Sequence, residues 1–119
     1  MLDSATDLRS LLKDPGLLPN KAYVAGQWVD AADGATFPVI NPARGDVIAT
    51  VPDLTRADAA RAIAAADVAR REWAARTGKA RAGIMRKWFD LCMAAQADLA
   101  TILTAEMGKP VAEAMGEIA

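Results

Sequence analysis

Few residues of this chain could carry out nucleophilic, acid–base or metal chemistry. The 119 residues include no histidine, so the commonest general base and metal ligand is missing and no Ser/His or Cys/His pair can form. Cys92, the single thiol, lies in a predicted helix beside the apolar residues Trp88, Leu91 and Ala95. Because it has no activating base and no helix N-terminus beside it, we interpret Cys92 as a packing residue. We therefore predict no catalytic residue.

Three carboxylates near the end of the chain are the other candidates for chemistry. Glu113 and Glu117 are four residues apart on a predicted helix, so they share one face, which we interpret as a solvated edge. Glu106 precedes a Gly-Lys-Pro sequence. Lys109 of that sequence has no glycine-rich loop around it, so we assign it a structural role at a helix end rather than phosphate binding.

A basic stretch between residues 70 and 87 is opposed within it by Glu72 alone. Trp73 and Trp88 fit apolar helix stripes, so no base-stacking aromatics alternate with these cations on one face. The net charge of −1 gives no overall attraction to nucleic acid or to an anionic membrane. We interpret the stretch as a solvated or intersubunit surface. Its members are Arg70, Arg71, Arg76, Lys79, Arg81, Arg86 and Lys87.

The cysteine content and the N-terminus predict a cytoplasmic location. One cysteine cannot form an internal disulfide. The N-terminus carries Asp3 and Asp7 without a long apolar run, so it does not resemble a signal peptide. No stretch reaches transmembrane length, and we predict no membrane partner.

Short strands follow a brief N-terminal helix. Leu8, Leu11 and Leu12 form the apolar stripe of that helix, which Pro15-Gly16 ends. Gly26 supplies the positive φ for a hairpin. Two more strands are predicted beyond it, with Pro38 favouring an edge position in the first. The four predicted strands are Tyr23-Val24, Trp28-Val29, Thr36 to Ile40 and Val47 to Val51.

Three helices are predicted after the strands. A capping box, Thr55 to Asp58, begins a helix that runs to about Ala75. The second is long, bends near residues 96–98 and ends at Gly108. Pro110 suits the first position of the third, which has no termination signal before the last residue. The strands are too few and too short for a nucleotide-binding sheet, and the sequence contains neither a G-x-G-x-x-G motif nor a P-loop.

Four blocks of sequence form an ordered pattern: AYVAGQWVD at 22–30, VINPAxGxVI at 39–48, RKWFDL at 86–91 and LTAEMGKPVAEAMGEI at 103–118. In order and spacing they resemble the start of an NAD(P)-dependent aldehyde dehydrogenase. Together they resemble most the succinate-semialdehyde dehydrogenase branch, and the resemblance runs from about Leu17 to Ala119.

The resemblance implies an α/β aldehyde dehydrogenase fold, of which residues 1–119 are an incomplete N-terminal part of the cofactor-binding domain. The complete enzyme would be a homo-oligomer that oxidises a small aldehyde to a carboxylic acid with NAD or NADP, through a thiohemiacetal and a thioester. The nucleophilic cysteine, the general-base glutamate and the cofactor-binding residues of the family would all lie beyond Ala119. The resemblance therefore predicts an inactive fragment that binds no dinucleotide.

The resemblance also implies a site for a structural monovalent cation. Its ligands would be the Glu106 carboxylate and the backbone carbonyls of Val39 and Ile40, oxygens that suit a hard cation. The other interpretation is a helix-end carboxylate facing water, and the sequence leaves both open.

A second hypothesis for function is a non-catalytic helical and hairpin module for protein interaction. Such a module would have a closed, capped C-terminus and a self-contained core. The sequence shows neither feature.

Overall fold

The computed structural model describes residues 7–119, so Asp3 lies outside the described residues. Two compact units share these residues: a first unit of residues 7–19, Pro38–Thr50 and Leu91–Ala119, and a second unit of Asn20–Phe37 and Val51–Asp90. Two 3₁₀ helices, Leu8–Leu11 and Pro15–Leu17, come first. The strands are β1 (Ala22–Val24), β2 (Gln27–Val29), β3 (Thr36–Ile40) and β4 (Val47–Pro52). The helices are α1 (Arg56–Ala75), α2 (Gly78–Ala94), α3 (Gln96–Met107) and α4 (Val111–Ile118).

The brief N-terminal helix predicted from the leucine spacing is a pair of 3₁₀ turns. The Asp7 side chain caps the first 3₁₀ helix, and the Asp14 side chain caps the second. Pro15 is the first residue of the second helix. The Arg9 guanidinium donates to the carbonyl oxygens of Pro15 at 3.1 Å and Leu18 at 2.6 Å. These bonds join both turns into one compact segment.

The predicted hairpin forms the first of two antiparallel sheets. Tyr23 pairs with Trp28 in the β1–β2 register, and their rings meet edge to face with centroids 5.0 Å apart. The turn between the strands has positive φ at both central residues, +51° at Ala25 and +80° at Gly26, as a type I′ turn requires. Gly26 therefore has the predicted role.

The second sheet pairs β3 with β4. The predicted bounds of β3 are confirmed, and β4 is one residue longer than predicted. Backbone hydrogen bonds frame the pair at both ends, from the Asn41 N–H to the Asp46 carbonyl and from the Asp53 N–H to the Ala35 carbonyl, at 2.9 and 2.8 Å. Each sheet has two strands, so Pro38 lies on an edge strand, as predicted.

The capping box predicted at Thr55 begins α1. The Thr55 hydroxyl accepts from the Asp58 N–H at 3.2 Å, and the Asp58 carboxylate accepts from the Thr55 N–H at 2.9 Å. This reciprocal pair satisfies two backbone donors at the helix start. The helix ends at Ala75, as predicted.

The long second helix of the sequence prediction is divided at Ala95. The Ala95 N–H is shared between the carbonyls of Leu91 and Cys92, both at 3.1 Å, and the backbone there (φ −99°, ψ 9°) leaves the helical region. The predicted bend is thus a break that gives α2 and α3. Gly108 ends α3 with φ +81°, as predicted. Pro110 is extended (ψ 143°) and caps α4, so that helix begins one residue later than predicted.

Leucines of the 3₁₀ segment form the core of the first unit. Leu8, Leu12 and Leu18 are buried, and Ile48, Ile102 and Ala105 pack against them. The 3₁₀ segment therefore packs on α3 of the same unit.

Apolar faces of the second unit are uncovered. Ile63 of α1 is 70% exposed, and Trp88 on the apolar stripe of α2 is 63% exposed. Among residues 7–119, no large side chain is completely buried, and no helix combines the length and apolarity needed to cross a membrane. None of the described residues covers these two side chains.

Candidate functional site

The loop after β3 is fixed by the side chain of Asn41. Its buried amide oxygen accepts from the backbone N–H groups of Ala43 at 2.9 Å and Arg44 at 3.2 Å. Arg44 also forms a two-pronged ion pair with Asp46, with both N···O distances 2.9 Å. The Asn41 side chain therefore fixes the backbone of the loop, and the Arg44–Asp46 ion pair adds a contact at its surface.

The turn between α3 and α4 approaches this loop at Gly108. Its N–H donates to the Thr104 carbonyl at 2.9 Å, which ends α3. A Cβ at this position would lie 3.1 Å from Cγ of Pro42. A glycine at position 108 therefore permits both the left-handed backbone conformation and the close approach of Pro42.

A groove of about 360 Å³ lies where these two turns meet. The Thr104 hydroxyl oxygen on its wall is buried and has no hydrogen-bond partner among the residues that the structure describes. The groove is mainly apolar and is lined by Leu8, Leu11, Asn41, Ala43, Arg44, Ile48, Thr101, Thr104, Ala105, Gly108 and Val111.

The three predicted cation ligands adjoin groove residues along the chain, with Val39 and Ile40 before Asn41 and Glu106 after Ala105. Val39 is half-buried and Ile40 exposed at the end of β3, whereas Glu106 is exposed in the last turn of α3. Within residues 7–119, no group of three or more His, Cys, Asp or Glu side chains is placed to hold a metal ion. A cation here would therefore depend on backbone carbonyl oxygens beside the single carboxylate.

The cysteine, lysine and remaining glutamates considered for chemistry lie within helices or at helix ends. Cys92 is half-buried within α2. Lys109 is 13% exposed and forms an ion pair with Glu117, which ties the α3–α4 turn to the last turn of α4. Glu113 is exposed, as expected for a solvated edge.

Nearby acids pair with much of the basic stretch. Asp67 contacts the guanidinium groups of Arg70 at 3.1 Å and Arg71 at 3.4 Å. Arg76 pairs with Glu72 at 3.0 Å and Arg86 with Asp90 at 3.2 Å. These exposed pairs at helical spacing agree with the interpretation as a solvated or intersubunit surface.

Asp58 is the best-connected carboxylate of the second unit. Beyond its capping role it pairs with Arg61 and lies 3.5 Å from the Ala32 N–H. The backbone hydrogen bond from Thr55, followed by the Thr55 hydroxyl, holds the pKa of Asp58 below its ordinary value. Its carboxylate therefore stabilises the start of α1.

Sequence reasoning missed Asp98. This carboxylate is 7% exposed and accepts the backbone N–H groups of Lys13 at 3.1 Å and Asp14 at 2.9 Å. The bonds from Asp14 and then Lys13 lower the pKa of Asp98 despite its burial. The one available signal was an acidic residue in the first turn of α3, which ordinarily predicts a local cap instead.

The strands and glycines of the described residues are arranged differently from those of a glycine-rich phosphate-binding fold. The two sheets are antiparallel and two-stranded, whereas phosphate-binding folds place a glycine-rich turn after a strand of a parallel sheet. The positive-φ glycines 26, 34 and 45 lie in the hairpin and loops, and Gly108 ends a helix rather than starting one.

Comparison with known proteins gives one family. The aldehyde dehydrogenase family model matches residues 28–119. A glutarate-semialdehyde dehydrogenase of Pseudomonas aeruginosa is 53% identical over 108 residues, which cover 91% of this chain and 22% of that protein. A succinate-semialdehyde dehydrogenase of Escherichia coli, named for NADP(+), is 45% identical over 107 residues, covering 90% and 22%.

A solved structure agrees with the sequence relatives. The crystal structure of succinate-semialdehyde dehydrogenase from Burkholderia pseudomallei is 52% identical and superposes with a TM-score of 0.87, covering 90% of this chain and 22% of that chain. The predicted fold class, a hairpin layer and helices as at the start of the aldehyde dehydrogenase fold, is confirmed. The chain spans about a fifth of the length of the relatives it matches, and it belongs to the aldehyde dehydrogenase family.

Proposed function

We propose that this chain is the N-terminal part of an NAD(P)-dependent aldehyde dehydrogenase that oxidises a semialdehyde to the corresponding acid. The observation that carries the proposal is the superposition on succinate-semialdehyde dehydrogenase, with a TM-score of 0.87 and 52% identity over 90% of the chain. The substrate class follows from the names of the relatives, which are dehydrogenases of aldehydes that carry a terminal carboxylate.

In this proposal the 119 residues serve as structure, and the chemistry and the dinucleotide belong to the remainder of the enzyme. The absence of histidine and the position of Cys92 within a helix support this division. The uncovered side chains of Ile63 and Trp88 support it as well, because apolar surface of this kind gains stability by burial. They also disfavour the alternative of a self-contained interaction module.

We extend the proposal to assembly and location. The complete enzyme would be a cytoplasmic homo-oligomer. The single cysteine agrees with a reducing compartment, and the exposed apolar faces leave surface for contacts within a larger assembly.

Activity measured on two lengths of the protein tests the proposal. The protein at its natural full length should reduce NAD or NADP when given succinate or glutarate semialdehyde, whereas the 119-residue chain should not. Full-length Cys92→Ser should keep the wild-type rate, because the thiol lies outside the proposed chemistry. Turnover by the 119-residue chain, or no turnover of any aldehyde by the full-length protein, would contradict the proposal.

A monovalent-cation site at Glu106 is a second part of the proposal. The Gly108 turn contacts Pro42, which brings the end of α3 near the residues that follow Ile40. A carboxylate and the carbonyls of Val39 and Ile40 would then supply oxygen ligands, with the cation in a structural role.

Potassium-dependent stability tests this site in the full-length protein. Potassium at about ten times its Kd should stabilise the protein by about 1.4 kcal/mol, seen as a higher Tm than in tetramethylammonium chloride at equal ionic strength. Glu106→Gln should abolish the potassium effect. Glu113→Gln, at another exposed carboxylate of the same unit, should retain it. An undiminished potassium effect in Glu106→Gln would leave Glu106 as a solvated carboxylate.

A further inference from the structure

Residues 7–18 form a segment that the Asp98 carboxylate fastens to α3. Both carboxylate oxygens are used, one by the Lys13 N–H at 3.1 Å and the other by the Asp14 N–H at 2.9 Å. Hydrogen bonds to a charged acceptor are the stronger kind, and this acceptor is largely screened from water. We name residues 7–18 the strap.

The strap has its own internal links in addition to this attachment. Arg9 spans it by donating to the carbonyls of Pro15 and Leu18. Its apolar attachment to α3 consists of Leu8, Leu12 and Leu18 packed near Ile102 and Ala105. Because the internal bonds do not depend on α3, the segment can keep its shape when the attachment is lost.

Two cavities flank the strap. Leu8 and Leu11 form part of the wall of the groove between the Asn41 and Gly108 turns. Lys13, Asp14 and Leu17 form part of the wall of a second cavity, of about 470 Å³, beside Asp98. Between these cavities the strap is attached through its three buried leucines and the two bonds to Asp98, a small set of contacts whose loss would open the segment locally.

We propose that the strap is a separate cooperative unit that opens while α3 and α4 stay folded, and that Asp98 is the residue that keeps it closed. Opening would uncover the groove on the side of Leu8 and Leu11. Lys13 lies beside the carboxylate and adds a favourable charge, whereas Asp14 contributes its backbone N–H to the bond.

Substitution of Asp98 by asparagine tests the role of the carboxylate with little change in size. The asparagine side chain offers one acceptor oxygen, and its NH₂ group would face the other backbone N–H, which is a donor as well. In the full-length protein, peptides that cover the strap should exchange their amide hydrogens about tenfold faster in Asp98→Asn. Peptides from 99–107 of α3 should exchange as in the wild type.

Asp90→Asn is the matched control, since Asp90 is an exposed carboxylate of α2 that pairs with Arg86. This variant should leave strap exchange at the wild-type rate. The proposal is overturned if strap exchange in Asp98→Asn equals that in Asp90→Asn. It is also overturned if wild-type strap amides exchange no faster than those of α3, a measurement that decides the matter even if Asp98→Asn does not fold.

Discussion

Leu8→Ala should lower the free energy of unfolding by about 2–5 kcal/mol. Leu8 is 4% exposed and belongs to the cluster with Leu12 and Leu18 on α3. The smaller side chain loses its transfer free energy and leaves a cavity that the short 3₁₀ turn cannot fill by moving inward. Urea unfolding of the full-length protein, followed by circular dichroism, measures the loss.

Leu11→Ala is the matched control, because Leu11 lies in the same 3₁₀ helix but is 57% exposed. Its substitution should change the free energy of unfolding by less than about 1 kcal/mol. Equal losses in the two variants would show that the leucine cluster is not the core of this unit.

Gly108→Ala should destabilise the protein by about 1–2 kcal/mol from its backbone alone, because an L-residue resists the left-handed conformation. The new Cβ would also lie 3.1 Å from Cγ of Pro42, so the loop after Asn41 must shift. Differential scanning calorimetry should therefore show a lower Tm.

Gly116→Ala should change the stability in the opposite direction and so provides a comparison. Gly116 lies inside α4, and a Cβ there would meet nothing within 4 Å. Alanine at a free helical position should stabilise by about 0.5–1 kcal/mol. A Tm that falls for Gly116→Ala, or stays constant for Gly108→Ala, would contradict this account of the two glycines.

Features that depend on neighbouring residues could be predicted from the sequence. One or two residue types that favour a specific backbone conformation were enough to predict three features. These are the capping box at Thr55, the hairpin turn at Gly26 and the helix end at Gly108. The cation site stays a prediction, because its basis is a resemblance rather than a local pattern. The Gly108–Pro42 contact is the structural feature that bears on it.

Features that depend on distant residues were missed. The bonds from Lys13 and Asp14 to Asp98 join residues more than eighty positions apart, and no local pattern indicates them. The apolar stripes on α1 and α2 were identified, but periodicity cannot tell whether a partner is present. Ile63 and Trp88 show that here none of the described residues covers them.

The bond between Asp14 and Asp98 sets an order of events during protein synthesis, since its partners are 84 residues apart. At about 5–20 residues per second, a ribosome needs about 4–17 s to add the intervening residues. The hairpin and the start of α1 have all their partners within that stretch and can form on the nascent chain. The leucines of the strap must wait for α3 to emerge, and until then they are an exposed apolar segment that a chaperone can bind.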